Sequence, residues 1–166
     1  MAGRTRHGGG GRGARKITTG ADQGGSLDYE RALAYVERAR AVAKERGLVV
    51  TVAVHDAAGH PVALARGKSW HGPYMAMGKA RLAAAFRKPT KDLLEQWQDR
   101  PLFPMSLTTI LPGGVTIAAG GCPIVEDGKV VGAIGIGGGQ PDQDDAVARL
   151  AVGWNDELAK AARGST

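Results

Sequence analysis

Residues 123–136 read PIVEDGKVVGAIGI: two short runs of β-branched and small apolar residues on either side of Asp127-Gly128. Asp-Gly between two such runs is the strongest short-range signal for a two-residue hairpin, because both positions of that turn need a positive φ. The stretch predicts antiparallel strands over 123–125 and 130–136. Working toward the N-terminus, LVVTVAVH (48–55) is β-branched and almost wholly apolar, as suits a strand covered on its faces. Asp56 to His60 reads as a turn and Pro61 to Arg66 as a returning strand, so this pair is antiparallel too. A further strand is expected over 115–119. It follows a loop containing Pro101, Pro104, Pro112, Gly113 and Gly114, and Gly120-Gly121 breaks it from the last hairpin.

Helical spacing fills the intervals. Tyr29, Ala32, Leu33, Val36, Ala39 and Ala43 recur at three- and four-residue steps, with Ser26 read as the N-cap and Gly47 as the stop. Gly72-Pro73 opens a second helix that runs to about Arg87 and stops before Pro89. Ala76, Ala80, Ala83 and Ala84 give it a small-residue face that another backbone can approach. Thr90 is read as the cap of a short helix containing Leu93, Leu94 and Trp97. A final amphipathic helix carries Ala146, Val147, Leu150, Ala151, Trp154 and Leu158, with Asp142, Asp144 and Asp145 at its start, where the helix dipole favours them. Helices and hairpins in this order predict an α+β domain with an antiparallel five-stranded sheet flanked by helices, over residues 26–162.

The charge is unevenly placed. Of 22 basic residues, Arg4, Arg6, Arg12, Arg15 and Lys16 fall in the first 21 positions, where there is no acid; the other 17 face 16 acids. Residues 1–25 therefore read as a disordered Gly/Arg-rich tail, which makes nucleic acid an unlikely partner for the nearly neutral body. No apolar run approaches the roughly 20 residues that span a bilayer, so no membrane partner is expected, and the cytoplasm is the default address. A single cysteine excludes an intramolecular disulfide and a Cys-rich zinc site. No set of side chains has metal-ligand spacing, and no metal site is expected. Gly135-Ile136-Gly137-Gly138-Gly139 fails the spacing of a dinucleotide loop and runs into three aspartates, so tight strand–helix packing explains it better than phosphate.

The stretches VTVAVHDAAGHPVALAR, MAMGKARLAAAFRKPT and PGGVTIAAGGCPIVEDGKVVGAIGIGGGQPDQDDAVA resemble the GlcG/HbpS family, which includes the C-terminal domain of PduO-type proteins. The resemblance covers roughly residues 26–162 and implies a profilin-like sheet and assembly into homo-oligomers. Some members bind haem, sense redox state or store iron; others accompany catabolic gene clusters. Three departures stand out: Gly138 where Ser is common, His55 where a second Val is common, and GKSWHGPY (67–74) where an Asp-Gly-rich segment is usual.

Chemistry is offered at few positions. His71 lies between Trp70 and Gly72-Pro73, where an imidazole can ligate haem iron or move a proton; the competing reading is an ordinary hydrogen-bonded loop histidine. Tyr74 and Met75 beside it can line an apolar ligand site. Cys122, followed by Pro123, is a candidate haem thiolate or else a small buried residue. Lys79, on the small-residue helix, is a ligand-binding candidate and, if a neighbouring subunit covers it, an acid–base group of lowered pKa. His55, Asp56 and Arg81 complete the acid–base candidates, with no catalytic residue fixed. The expected function is a haem- or small-ligand-binding homo-oligomer with haem as the cofactor the resemblance implies. The alternative is a cofactor-independent enzyme acting on a small acidic or aromatic metabolite.

Overall fold

The structure, a computed structural model, describes residues 27–164. The tail expected over 1–25, Ser26 and His7 all lie outside the described residues. In chain order the elements are α1 (Tyr29–Glu45), β1 (Thr51–Asp56), β2 (Pro61–Ala65), α2 (Gly72–Phe86), α3 (Thr90–Gln96), α4 (Leu102–Ile110), β3 (Gly121–Glu126), β4 (Lys129–Gly137), α5 (Pro141–Val152) and α6 (Asp156–Gly164). The strands form one antiparallel sheet in the order β2-β1-β4-β3. The β3–β4 turn is as the sequence predicts: Asp127 and Gly128 are both left-handed, at φ 47° and 74°.

The two faces of the sheet differ in kind. Val52, Val54, Cys122, Ile124, Ile134 and Ile136 form an aliphatic face under α1 and α5, meeting Val36, Ala39, Val147 and Ala148. Each fully buried Val or Ile there stabilises the fold by roughly 1.5–3 kcal/mol. The opposite face carries Ala53, Gly121, Ala133, Gly135 and Gly137, and α2 lies on it. A Cβ on Gly135 would sit 2.0 Å from the Ala76 carbonyl oxygen and 2.6 Å from the Ala80 nitrogen. Helix backbone therefore rests directly on strand backbone, which is why α2 needs its alanines. Beyond α2, Leu82, Leu93, Trp97 and Leu107 form a second cluster. In it the Trp97 ring stands edge-on to Phe86 and Phe103.

Several expectations are corrected. The sheet has four strands: residues 115–119 form no strand, with a bend at 118–119, and Val115 and Ile117 pack instead against the second cluster beside α2. Gly121 is not a break but the first residue of β3. The proline-rich loop contains α4, in which Pro101 precedes the helix and Pro104 sits in its first turn, where a missing N–H breaks no helical bond. The last helix is two, since Gly153 adopts φ 66° and caps α5 before Asn155 accepts from the Leu158 amide and starts α6. Asp28, accepting from the Arg31 amide, caps α1. Thr90 lies inside α3, and its hydroxyl accepts from the Gly121 amide at 2.9 Å, tying that helix to β3. The backbone that approaches the alanine face of α2 is that of the protein's own sheet, against which these alanines are buried.

Candidate functional site

The segment 67–75 turns the chain from β2 onto the sheet face and starts α2. Gly72 is required there by packing, since a Cβ would lie 2.5 Å from the Thr51 hydroxyl oxygen. His71 immediately precedes the helix and is exposed; its Nδ1 is hydrogen-bonded with the Ser69 hydroxyl at 3.0 Å. Trp70 stands edge-on to the imidazole with centroids 5.5 Å apart. Trp70 and Tyr74 are 75% and 72% exposed, while Met75 is half-buried, its Cβ near Gly137. An imidazole, two large rings and a thioether are thus gathered at one helix start. Exposed aromatic surface of this kind is what a binding face offers.

The other candidates are held elsewhere by internal bonds. His55 is fully buried at the far end of β1, beside the Arg81 end of α2. Ten residues of helix, about 15 Å of rise, separate His71 from Arg81. His55 Nδ1 lies 2.9 Å from the Gly59 carbonyl oxygen, which fixes the proton on Nδ1, and Nε2 has no partner. Burial lowers its pKa, the Gly59 bond works against that, and Arg81 lowers it further. Asp56 accepts from the amides of Ala58 and His60 and pairs with the exposed His60 ring, so it shapes the β1–β2 turn.

Lys79 lies on the covered side of α2, where its Nζ donates to Asp144 Oδ2 at 2.7 Å and to the Ile136 carbonyl at 2.9 Å. Asp144 Oδ1 accepts from the Gly139 amide. Both side chains are buried, so Lys79 is a strut between α2, β4 and α5 rather than the ligand or acid–base group expected. Asp144 is correspondingly an internal partner of Lys79 as well as a helix-start acid. Cys122 is fully buried on the α1/α5 face, opposite to α2, and burial pushes its thiol pKa well up. A thiol so placed packs as an apolar group and meets no ligand. Among the described residues no group of three or more His, Cys, Asp and Glu is arranged to hold a metal ion. No helix among them is long and apolar enough to cross a membrane.

Sequence reading missed a second cleft on α2. Arg81 Nη1 donates to the carbonyl oxygens of Gly113 and Gly114 at 2.7 and 2.5 Å. The clamp borders an open hollow of about 190 Å³ lined by Tyr74, Met77, Gly78, Arg81 and residues 113–116. The tandem glycine was visible in the sequence; its partner, 32 residues away, was not. Two larger hollows lie near the end of α1 and between α2, α3 and α6, and neither contains a histidine.

These features define a class: a small α+β domain that lays one helix on a glycine-lined antiparallel sheet and displays an imidazole among aromatic side chains where that helix begins. Residues 27–153 match the family described as haem degrading protein HbpS-like, and the chain belongs to that family. It is 34% identical to Protein GlcG of Escherichia coli K12 over 114 residues, 66% of this chain and 80% of GlcG. It is 32% identical to an uncharacterised 15.0 kDa protein of Citrobacter freundii encoded between dhaT and dhaS, where the match spans 58% of that protein. Among solved structures, HbpS is similar at TM-score 0.68 and 28% identity, with 77% of this chain and 89% of HbpS covered. PduOC, solved as a haem complex, is similar at TM-score 0.66 and 25% identity over 79% of this chain and 96% of PduOC. The Klebsiella pneumoniae protein ORFY, at TM-score 0.69 and 22% identity over 86% and 97% of the two chains, shares the fold. The resemblance read from the sequence is borne out.

Proposed function

We propose that this protein is a haem-binding homo-oligomer of the HbpS-like family, and that the start of α2 would hold haem with His71 as the residue that meets the iron. The carrying observation is the exposed His71 ring, edge-on to the exposed Trp70 and three residues before the exposed Tyr74, in a chain similar to PduOC, which was solved with haem. The residues fit the group. An exposed imidazole offers iron a nitrogen, Ser69 fixes the ring's orientation, and Trp70, Tyr74 and Met75 supply apolar surface for a flat macrocycle. Bound there, haem would supply redox chemistry that this chain's own side chains lack. Cys122 does not fit as a ligand, being buried on the other face of the sheet.

The patch is open, so it covers one face of a planar ligand, and a second copy of the chain is the partner we assign to the other. Support for an oligomer comes from α4, where Leu102, Met105 and Ile110 are exposed. The competing enzyme reading is weakened because Lys79, Asp56 and His55 are all engaged in internal bonds.

The test is a titration of the full chain with haemin, followed in the visible spectrum, for wild type and His71→Ala. A saturable Soret shift that is lost in the variant is expected. Absence of a shift at stoichiometric haemin, or an unaltered one in His71→Ala, overturns the reading. A clean 17.2 kDa species by light scattering overturns the oligomer.

A further inference from the structure

Tyr74, Gly78 and Arg81 follow one another at steps of four and three, so they line one face of α2. Residues 111–117 cross that face. They come close because Gly78 has no side chain: a Cβ there would lie 2.2 Å from the Thr116 hydroxyl oxygen and 2.7 Å from its amide nitrogen. Gly113 and Gly114 are both left-handed, at φ 76° and 71°, a succession that favours glycine and delivers two carbonyls to one cation. Arg81 Nη1 donates to both. The guanidinium lies flat against Gly113, where a Cβ would be 2.9 Å from Cζ.

This arrangement uses one end of the fork and leaves the other. Nε–H and both Nη2 hydrogens have no partner among the described residues, and no carboxylate there lies within ion-pair distance of Arg81. Among the described residues partly buried Lys88 also lacks a carboxylate and donates to the Gln96 amide oxygen, but other covered cations are paired. Lys79 meets Asp144, Arg149 meets Asp92 and Asp145, and Arg31 meets Glu126. The Nε/Nη2 edge is the one that takes a carboxylate through two parallel hydrogen bonds.

We infer that the cleft between α2 and residues 113–116 binds a small organic carboxylate on the free edge of Arg81. Its size sets the class. At about 30 Å³ per water, a hollow of 190 Å³ holds the equivalent of about six waters, enough for an acid of two to four carbons. Met77 and the Tyr74 ring wall one side with apolar surface, which suits a short carbon chain. A single guanidinium with no second cation in the lining suits a singly charged carboxylate better than phosphate. The inference does not rest on haem binding: His71→Ala leaves the Arg81 cleft intact, so either proposal can fail alone.

The experiment follows the backbone amide resonances of Gly113, Gly114 and Thr116, which every variant retains, together with the Arg81 Nε–H of wild type, in the full-length ¹⁵N-labelled protein during titration with sodium acetate and with sodium lactate. Sodium chloride and sodium phosphate are run at matched ionic strength. A saturable shift with the carboxylates is expected, weakened about tenfold or more in Arg81→Gln. Since Arg81 also holds the 113–116 segment, Met77→Glu is the second variant. It places a competing carboxylate in the cleft wall without touching the clamp and is expected to abolish the shift. No saturable response above chloride in wild type, unchanged affinity in Met77→Glu, or tighter binding of phosphate than of acetate each overturns the proposal.

Discussion

The closest approach in the fold is also the most direct place to test it. Gly135→Ala adds one methyl group where the Ala76 carbonyl oxygen would be 2.0 Å away and the Ala80 nitrogen 2.6 Å away. Unstrained contact needs roughly 3.5 Å, so α2 must move off the sheet by roughly 1.5 Å or β4 must buckle by as much. Both obstructing atoms are backbone, and no rotamer change can relieve them. Two effects oppose each other. Replacing a strand glycine by alanine removes unfolded-state freedom and on its own stabilises by about 0.5–1 kcal/mol. Overpacking a filled interior destabilises by about 1–3 kcal/mol, and lifting a helix that touches three strands belongs at the upper end. The net expectation is a loss of about 2 kcal/mol, or about 5–10 °C in Tm for a domain of this size. Gly164→Ala is the control, because nothing lies within 4 Å of a Cβ there. Circular dichroism melts with urea midpoints give both quantities. If Gly135→Ala melts at or above wild type, helix α2 does not rest on β4 as described, and the account of the glycine-lined face is wrong.

Two further perturbations probe the buried charges. Lys79→Met leaves Asp144 without its cation in a site where both side chains are buried, and a loss of about 3–5 kcal/mol is expected; Lys79→Met/Asp144→Leu should recover most of it in a urea double-mutant cycle. Equal destabilisation by single and double variants would show that the pair does not act as a unit. For His55, burial holds the folded-state pKa below its ordinary 6.5, so as pH falls the unfolded chain takes up the proton first. The stability from the neutral ring is complete above about pH 6.5 and is lost as pH drops, at most about 1.4 kcal/mol per pH unit. Urea midpoints between pH 7.5 and 5.5 should show that slope in wild type and a flatter one in His55→Phe; identical slopes would sink the assignment.

Legibility in the sequence followed how local the cause was. The Asp127-Gly128 hairpin was readable because the turn's own two residues dictate its left-handed geometry. The start of α2 was readable for the same reason, Gly72-Pro73 carrying the signal themselves. Helix α4 was hidden because Pro101 and Pro104 in a first helical turn look the same as prolines in a loop. Residues 115–119 have the composition of a strand, but Val115 and Ile117 pack against the cluster of Leu82, Trp97 and Leu107 instead. At the proposed site, His71 was singled out from its chemistry and from Trp70 and Tyr74 beside it in the sequence. The Lys79–Asp144 pair, 65 positions apart, and the Arg81 clamp were not, because each depends on where α2 sits. For Cys122 the sequence left a haem thiolate and a small buried residue both open; it pairs with Ile134 on the aliphatic face, fully buried, so the second reading holds.

Helix α2 sorts its polar groups by what covers them. On its sheet side the single charge, Lys79, is matched by Asp144 and a carbonyl, so that interface is closed electrostatically as well as sterically. On its outward side Arg81 retains unused N–H donors, both ring nitrogens of His71 lie within reach of the Ser69 hydroxyl alone, and Tyr74 lies between the two residues in sequence. A buried group left this way would cost several kcal/mol, as the unpartnered His55 Nε2 avoids only by staying uncharged. At the surface the same vacancy is tolerated by water, and is therefore available to a ligand. Because Gly135 and Gly137 seat the helix backbone-to-backbone on β4, both outward groups are carried on a support that cannot slide, and a ligand meeting either pays little to organise the site. Function in this chain is thus to be sought along the outward face of α2, not in the sheet that holds it.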